Sequence, residues 1–305
     1  MIETSTNTEN SDFLQSFSHV IKGRFLDEAK KTKLDLFVLN ISANEFDYET
    51  FKTRLVDLVV DFALSRKVKN KYKDKPVTLA NRAKDKFKKG INRGELGEFL
   101  LFCFLENHLK APKILTKLEL KTSTSTYVHG SDGVHFLKLD NGNFQLIFGE
   151  SKTKLRLTDA LSDAFQSIHE FKTCRNTNGN TKSGLPYEKC LINDEIEKEA
   201  FSKEEMDFIE RLIYPRADSE FEVDDAFGIF VGYDIQISED EKKLPNFDFR
   251  RLIEEKIIKE VENKIPHISK KINEYDLTGH HFYIYIMPFT QLKINRKDIT
   301  GHITA

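Results

Sequence analysis

The stretch GSDGVHFLKLDNGNFQLIFGESK, residues 130–152, sets two alternating runs on either side of Asp140-Asn141-Gly142. A three-residue loop with glycine last is a common closure for a β-hairpin. Centring the turn on Asn141 puts Asp132 opposite Glu150, Val134 opposite Phe148 and Phe136 opposite Leu146. The apolar residues then share one face, while His135, Asn143 and Gln145 fall on the other. A two-residue Asn-Gly loop would set Phe136 against Ile147 and turn Glu150 away from Asp132. The first register matches the pattern better.

That register poses an electrostatic problem. Directly opposed side chains have Cβ atoms about 4.5–5.5 Å apart, and like charges there are destabilising. Two facing carboxylates at the end of an apolar face call for a proton, a cation or a route to solvent, and an oxygen-ligated divalent metal is the productive solution. Lys152 follows Glu150 by two residues, so strand alternation puts it on the same face. An ammonium cannot ligate a metal, but it can orient an attacking water or stabilise developing negative charge. A solvated strand end would carry the same residues without purpose. The register match and the helix upstream weigh against that reading.

The chain has 305 residues and a net charge of −2, enough length for one large domain or two modest ones. Charge is unevenly spread. Residues 66–93 hold twelve Lys/Arg against two Asp, whereas residues 194–243 hold seventeen acids against six bases. The basic block suits a polyanion and the acidic block repels one; the alternative is two solvated helical faces, which for the acidic block weighs equally. Lys67, Lys69, Lys71, Lys73, Lys84, Lys86, Lys88 and Lys89 are the candidate nucleic-acid contacts. No apolar run is long enough to span a membrane and no signal peptide is visible. Cys103, Cys174 and Cys190 fit a reduced, cytoplasmic protein, and Cys174, Cys190 and His169 lack a compact zinc spacing.

Along the chain, residues 1–11 read as disordered. Phe13, Phe17, Val20, Ile21 and Phe25 recur at helical spacing, residues 34–41 read as a strand, and Phe51, Leu55, Leu58, Val59 and Phe62 mark a second helix. Residues 1–88 are expected to form an N-terminal α/β region and 89–305 the main domain. There the pattern predicts a helix over 94–108, a strand over 114–120, the hairpin, and a helix over 158–172 with Thr158 as N-cap. A Gly/Asn-rich loop, an acidic helix near 203–214, a strand over 226–233, a helix near 248–264 and a final strand follow. This is an α/β layout with the hairpin at the centre of a mixed sheet flanked by helices.

The helix GELGEFLLFCFLENH, residues 94–108, carries Glu95 and Glu98 on one face just before its apolar run. Either acid is a candidate third carboxylate, with Glu98 nearer the core boundary. A Gly-x-x-x-Glu helix opening, an aspartate at one hairpin end and Glu-x-Lys closing the strand FQLIFGESK together resemble the PD-(D/E)-x-K nuclease superfamily. Ser131 stands where that superfamily's name has proline. More closely, the segments around Gly94, Gly130 and Glu150 resemble HamA, the nuclease subunit family of the Hachiman anti-phage defence system, over most of the chain.

The resemblance implies a restriction-endonuclease-like core in which Glu98, Asp132 and Glu150 hold Mg²⁺, or Mn²⁺, and Lys152 is the catalytic lysine. It gives Gln166, in the following helix, an accessory place. It also implies DNA as substrate and a helicase partner resembling HamB. A non-cleaving nucleic-acid-binding module, a nuclease acting on RNA, or a small-molecule metallohydrolase are the competing classes. The last lacks the histidine ligands most such sites use.

Overall fold

The structure, a computed structural model, describes residues 6, 8, 10–87, 94–119, 130–176, 178–199, 202–216 and 218–305, with the backbone alone for 195–199. Lys88, Lys89, the boundary placed between residues 88 and 89, and most of the segment expected to be disordered lie outside the described residues.

Strands β1 (Phe17–Phe25) and β2 (Thr32–Leu39) pair antiparallel. In place of the helix expected from Phe13 to Phe25, a 3₁₀ turn, Phe13–Ser16, leads directly into β1. Register shifts between His19 and Ile21 and between Ile21 and Arg24 break the strand's two-residue alternation. Bulged strands place inward residues at spacings a helix would also give. A small ribbon, β3 (Ile41–Ser42) with β4 (Glu45–Phe46), opens into α1 (Tyr48–Val56) and α2 (Val59–Ala63). The basic segment forms α3 (Arg66–Lys71) and α4 (Pro76–Lys84). Pro76 starts α4, where its missing N–H leaves no bond unmade.

The main run follows: α5 (Glu95–Asn107), β5 (Lys113–Thr116), β6 (Gly133–Lys138), β7 (Phe144–Lys154), α6 (Leu157–Thr173), α7 (Leu185–Glu199) and α8 (Lys203–Ile213). It ends in β8 (Val223–Asp234), α9 (Glu239–Lys242), α10 (Asn246–Glu262), α11 (Ile265–Glu274), β9 (His281–Phe289) and α12 (Leu292–Thr304). Helix α6 starts after Arg156, which pairs with Asp159 in the first turn, so Thr158 is inside the helix and not its cap. Helices α7, α9, α11 and α12 go beyond the sequence reading.

One seven-stranded mixed sheet, in the order β1-β2-β9-β8-β7-β6-β5, organises the molecule. The pairs β7–β8, β8–β9 and β9–β2 are parallel and the others antiparallel. Strand β8 holds the middle, and the hairpin β6–β7 lies toward one edge, because β1 and β2 extend the sheet on the far side of β9. The N-terminal strands thus share one sheet and one apolar core with the rest.

The hairpin forms in the expected register: Val134 faces Phe148, Phe136 faces Leu146 and Lys138 faces Phe144. Helix α5, buried at every position, covers one face of the sheet. It comes close because β7 and β8 present glycines: a Cβ on Gly149 would lie 2.9 Å from Leu101, and one on Gly228 3.1 Å from Leu105. Helix α6 covers the opposite face, with Phe171 against Phe148 and Phe165 against Phe282.

Candidate active site

The candidate site forms where β7 outruns β6. Strand β7 pairs with β8 from Phe144 to Lys154, but with β6 only as far as Phe148. Its last residues, Glu150 to Lys154, therefore have a strand on one side only. The start of β6 and the end of β5 approach from the other side, and the first turn of α5 from above.

Asp132 stands just before β6. The simple extrapolation that sets it opposite Glu150 is not kept: the Asp132 N–H donates to the Gly149 carbonyl (2.8 Å), one residue short of that partner. A Cβ on Gly149 would come within 3.2 Å of the Gly133 carbonyl, so the glycines allow the chains to close and slip. The Asp132 carboxylate is consequently seized by Ser151, whose backbone N–H and Oγ–H both donate to Oδ2 at 2.7 Å. Gly97 of α5 sits over the same serine, where an added Cβ would lie 3.1 Å from Ser151 Oγ.

Lys117, immediately after β5, joins two of the carboxylates. Its backbone N–H donates to the Asp132 carbonyl (3.3 Å). Its ammonium lies 3.3 Å from Asp132 Oδ1 and 4.0 Å from Glu98 Oε1. Glu98 is thus the helix acid tied to Asp132. Glu95 is buried in the same turn, and the positive end of the helix dipole favours both carboxylates.

Glu150 and Lys152 share one face of β7, as the alternation requires, and form a close ion pair. Burial, and after it the Asp132 charge, pushes the Glu150 carboxyl above its ordinary range against the pull of Lys152 and Lys117. Burial works to lower the Lys152 ammonium, but the Glu150 charge and hydrogen bond outweigh it and leave the pKa raised. The Glu150 carboxylate thus favours the charged form of Lys152.

A fourth carboxylate enters from α7, a segment in which the sequence offered no candidate. Glu188 is buried, accepts from the Ser131 N–H (3.2 Å) and from Ser131 Oγ–H (2.7 Å), and has its pKa pushed up to about 7 by burial. Lys117 and Ser151 were likewise not legible, one being a single lysine among many and the other the unmarked residue between Glu150 and Lys152.

Of the other candidates, Gln166 lies on α6, between Asp163, which pairs with Lys154, and Phe171, which packs on Phe148, and its amide donates along the helix to Glu170 (3.2 Å). The basic segment is partly neutralised. Lys69 pairs with Asp61 (2.7 Å), Arg66 reaches Glu205 of α8 (3.5 Å), and Lys86 donates to the Glu119 carbonyl (3.1 Å). Lys67, Lys71 and Lys73 are exposed and Lys84 half-buried. A cleft of about 560 Å³ lined by Tyr48, Asp234, Thr290 and Asn295 contains none of the carboxylates.

Glu98, Asp132 and Glu150 offer oxygen alone, the donor type Mg²⁺ takes and softer metals do not prefer. Among the described residues their oxygens do not all close to within 4.8 Å of one another, and the Lys117 ammonium stands between Glu98 and Asp132. Mg²⁺ keeps several waters and needs few protein ligands, so the donor set fits the ion once Lys117 gives way.

A profile of the HamA family matches residues 12–303. The chain belongs to the HamA family. That family places it in Hachiman anti-phage defence and gives it a partner within the Hachiman system. No curated protein matches the chain. No helix among the described residues is long and apolar enough to cross a membrane, and the three cysteines are free.

Proposed function

We propose that this HamA-family chain is a Mg²⁺-dependent DNA nuclease with a restriction-endonuclease-like core, paired in Hachiman defence with a helicase. The observation that carries the reading is that Glu98 and Asp132, joined by Lys117, stand close enough to the Glu150–Lys152 pair for Asp132 to act on both, where β7 continues past β6. Three acids and a lysine gathered from a helix, a strand entry and a strand end are what phosphodiester hydrolysis asks for. Magnesium, when bound, supplies an activated water and offsets charge on the phosphate.

The chain's own groups do the rest. Ser151 fixes the Asp132 carboxylate with two hydrogen bonds to Oδ2, so Oδ1, which Lys117 contacts, keeps one direction. Lys152 remains protonated beside Glu150 and stands ready to balance the negative charge that grows on the phosphate oxygens. The exposed lysines of α3 supply a sequence-independent hold on the nucleic-acid backbone. Glu204 and Asp207 on α8 are exposed and face outward as a docking surface for a basic partner. Glu205 is already engaged by Arg66 and contributes less.

Incubating purified protein with supercoiled plasmid, with Mg²⁺ or EDTA, tests the reading, and a structured RNA run alongside decides between substrates. Nicking of the plasmid that EDTA abolishes is the expected result. Neutralising Lys67, Lys71 and Lys73 together should weaken DNA binding and flatten its salt dependence.

A further inference from the structure

At the far end of α5 a second constellation assembles from three separate parts of the chain. His19 of β1, Asp35 of β2 and His108, the residue that ends α5, each offer one ligand atom, and these three atoms lie within 4.8 Å of one another. His19 Nε2 is 2.7 Å and His108 Nε2 3.8 Å from Asp35 Oδ1. We propose that these three residues form a binding site for a zinc-class divalent ion, separate from the carboxylate cluster.

The distances bracket what the ion needs. Two ligands each about 2.0 Å from a tetrahedral Zn²⁺ lie about 3.3 Å apart, so one separation opens and the other closes by about half an ångström. Two imidazoles and a carboxylate select zinc-like metals over Mg²⁺. The ligands are also held. His19 stacks on Phe37 at 4.1 Å with 12° between planes, and His108 Nδ1 is 3.3 Å from the buried Tyr285 hydroxyl. A ring nitrogen bonded behind the ligating one fixes its orientation and tautomer. The Gly23 N–H donates to Asp35 Oδ1 (2.7 Å), leaving the carboxylate little freedom to turn. The carbonyl end of α5 points toward the site and favours a cation. Lys33 and Lys110, close enough to act on His108, oppose it.

His19 and His108 are about a quarter and a fifth exposed, so a fourth ligand can be water. The ion would tie the β1–β2 pair to the C-terminus of the helix whose first turn carries Glu98, about 15 Å away along the axis.

The test uses full-length protein stripped with EDTA and titrated with ZnSO₄, followed by calorimetry and by melting temperature. One equivalent of Zn²⁺ per chain should bind and raise the melting temperature, and in Asp132→Ala, where the carboxylate cluster is broken, Mg²⁺ at the same concentration should not. Binding should persist in Asp132→Ala and fall at least 100-fold in His19→Gln and His108→Gln. Tyr285→Phe should weaken it about tenfold, the scale of losing a ligand's supporting hydrogen bond. Should either Gln variant fail to fold, Zn²⁺ protection of His19 and His108 from carbethoxylation in the wild-type chain gives the same answer. Absence of stoichiometric Zn²⁺ binding by the wild type, its full retention in folded Gln variants, or absence of protection would overturn the proposal.

Discussion

The Lys117 ammonium lies 3.3 Å from Asp132 Oδ1, between that carboxylate and Glu98. It stands in the position of a counter-ion, and a divalent metal entering the cluster has to displace it. Removing one unit charge a few ångströms from the ion is worth on the order of 1–4 kcal/mol between water and a protein-surface dielectric. Lys117→Met should therefore lower the Mg²⁺ concentration for half-maximal cleavage by about tenfold or more. A titration showing weaker Mg²⁺ dependence on Lys117 than that, or a higher requirement in the variant, would mean the lysine serves the substrate instead.

Lys152 is held cationic by Glu150. If it balances transition-state charge, Lys152→Ala should cost about 3–4 kcal/mol of barrier, or roughly 10²–10³ in rate. Mg²⁺ binding measured by calorimetry should survive. Loss of metal together with rate would assign Lys152 to holding Glu150 in place.

His135 reports on the hairpin independently of any metal. It is buried, its Nδ1–H donates to the Ala111 carbonyl (2.9 Å), and burial pushes its pKa down to about 4. The unfolded chain binds this proton near pH 6.5, so between about pH 6.5 and 4 it takes up more protons than the folded chain. The contribution is full above the unfolded value and is lost as pH falls through that window, amounting to about 3 kcal/mol. Denaturant unfolding of wild type and His135→Gln across this range should show the acid-side loss of stability reduced in the variant by that amount.

Gly130 has φ +138°, and a Cβ there would sit 2.1 Å from Glu188 Oε2. Gly130→Ala should cost about 2–3 kcal/mol from backbone strain and displaced carboxylate, read as a lowered midpoint in urea. Glu188→Ala in the same background should recover part of that loss, since the clash goes with the side chain.

Much of the carboxylate cluster was legible because its parts obey local rules. Turn chemistry and alternation fixed the hairpin register, and a two-residue offset put Lys152 beside Glu150. What failed did so for physical reasons. Strand β1 looks helical because its bulges at His19, Ile21 and Arg24 break the period that marks a strand. Asp132 departs from its extrapolated partner because paired glycines let the ladder slip, which no hydrophobic pattern encodes. Glu188 arrives from α7, a helix the sequence pattern did not mark, and His19, Asp35 and His108 meet only through tertiary structure. Spacing along the chain carries no trace of such meetings.

If Asp132 and Glu150 hold the metal for phosphodiester cleavage, purified Asp132→Ala and Glu150→Ala proteins should fail to nick supercoiled plasmid. Wild type should nick it in a Mg²⁺-dependent manner, and neither variant above background while circular dichroism shows both folded. Nicking by Asp132→Ala at the wild-type rate would contradict that role.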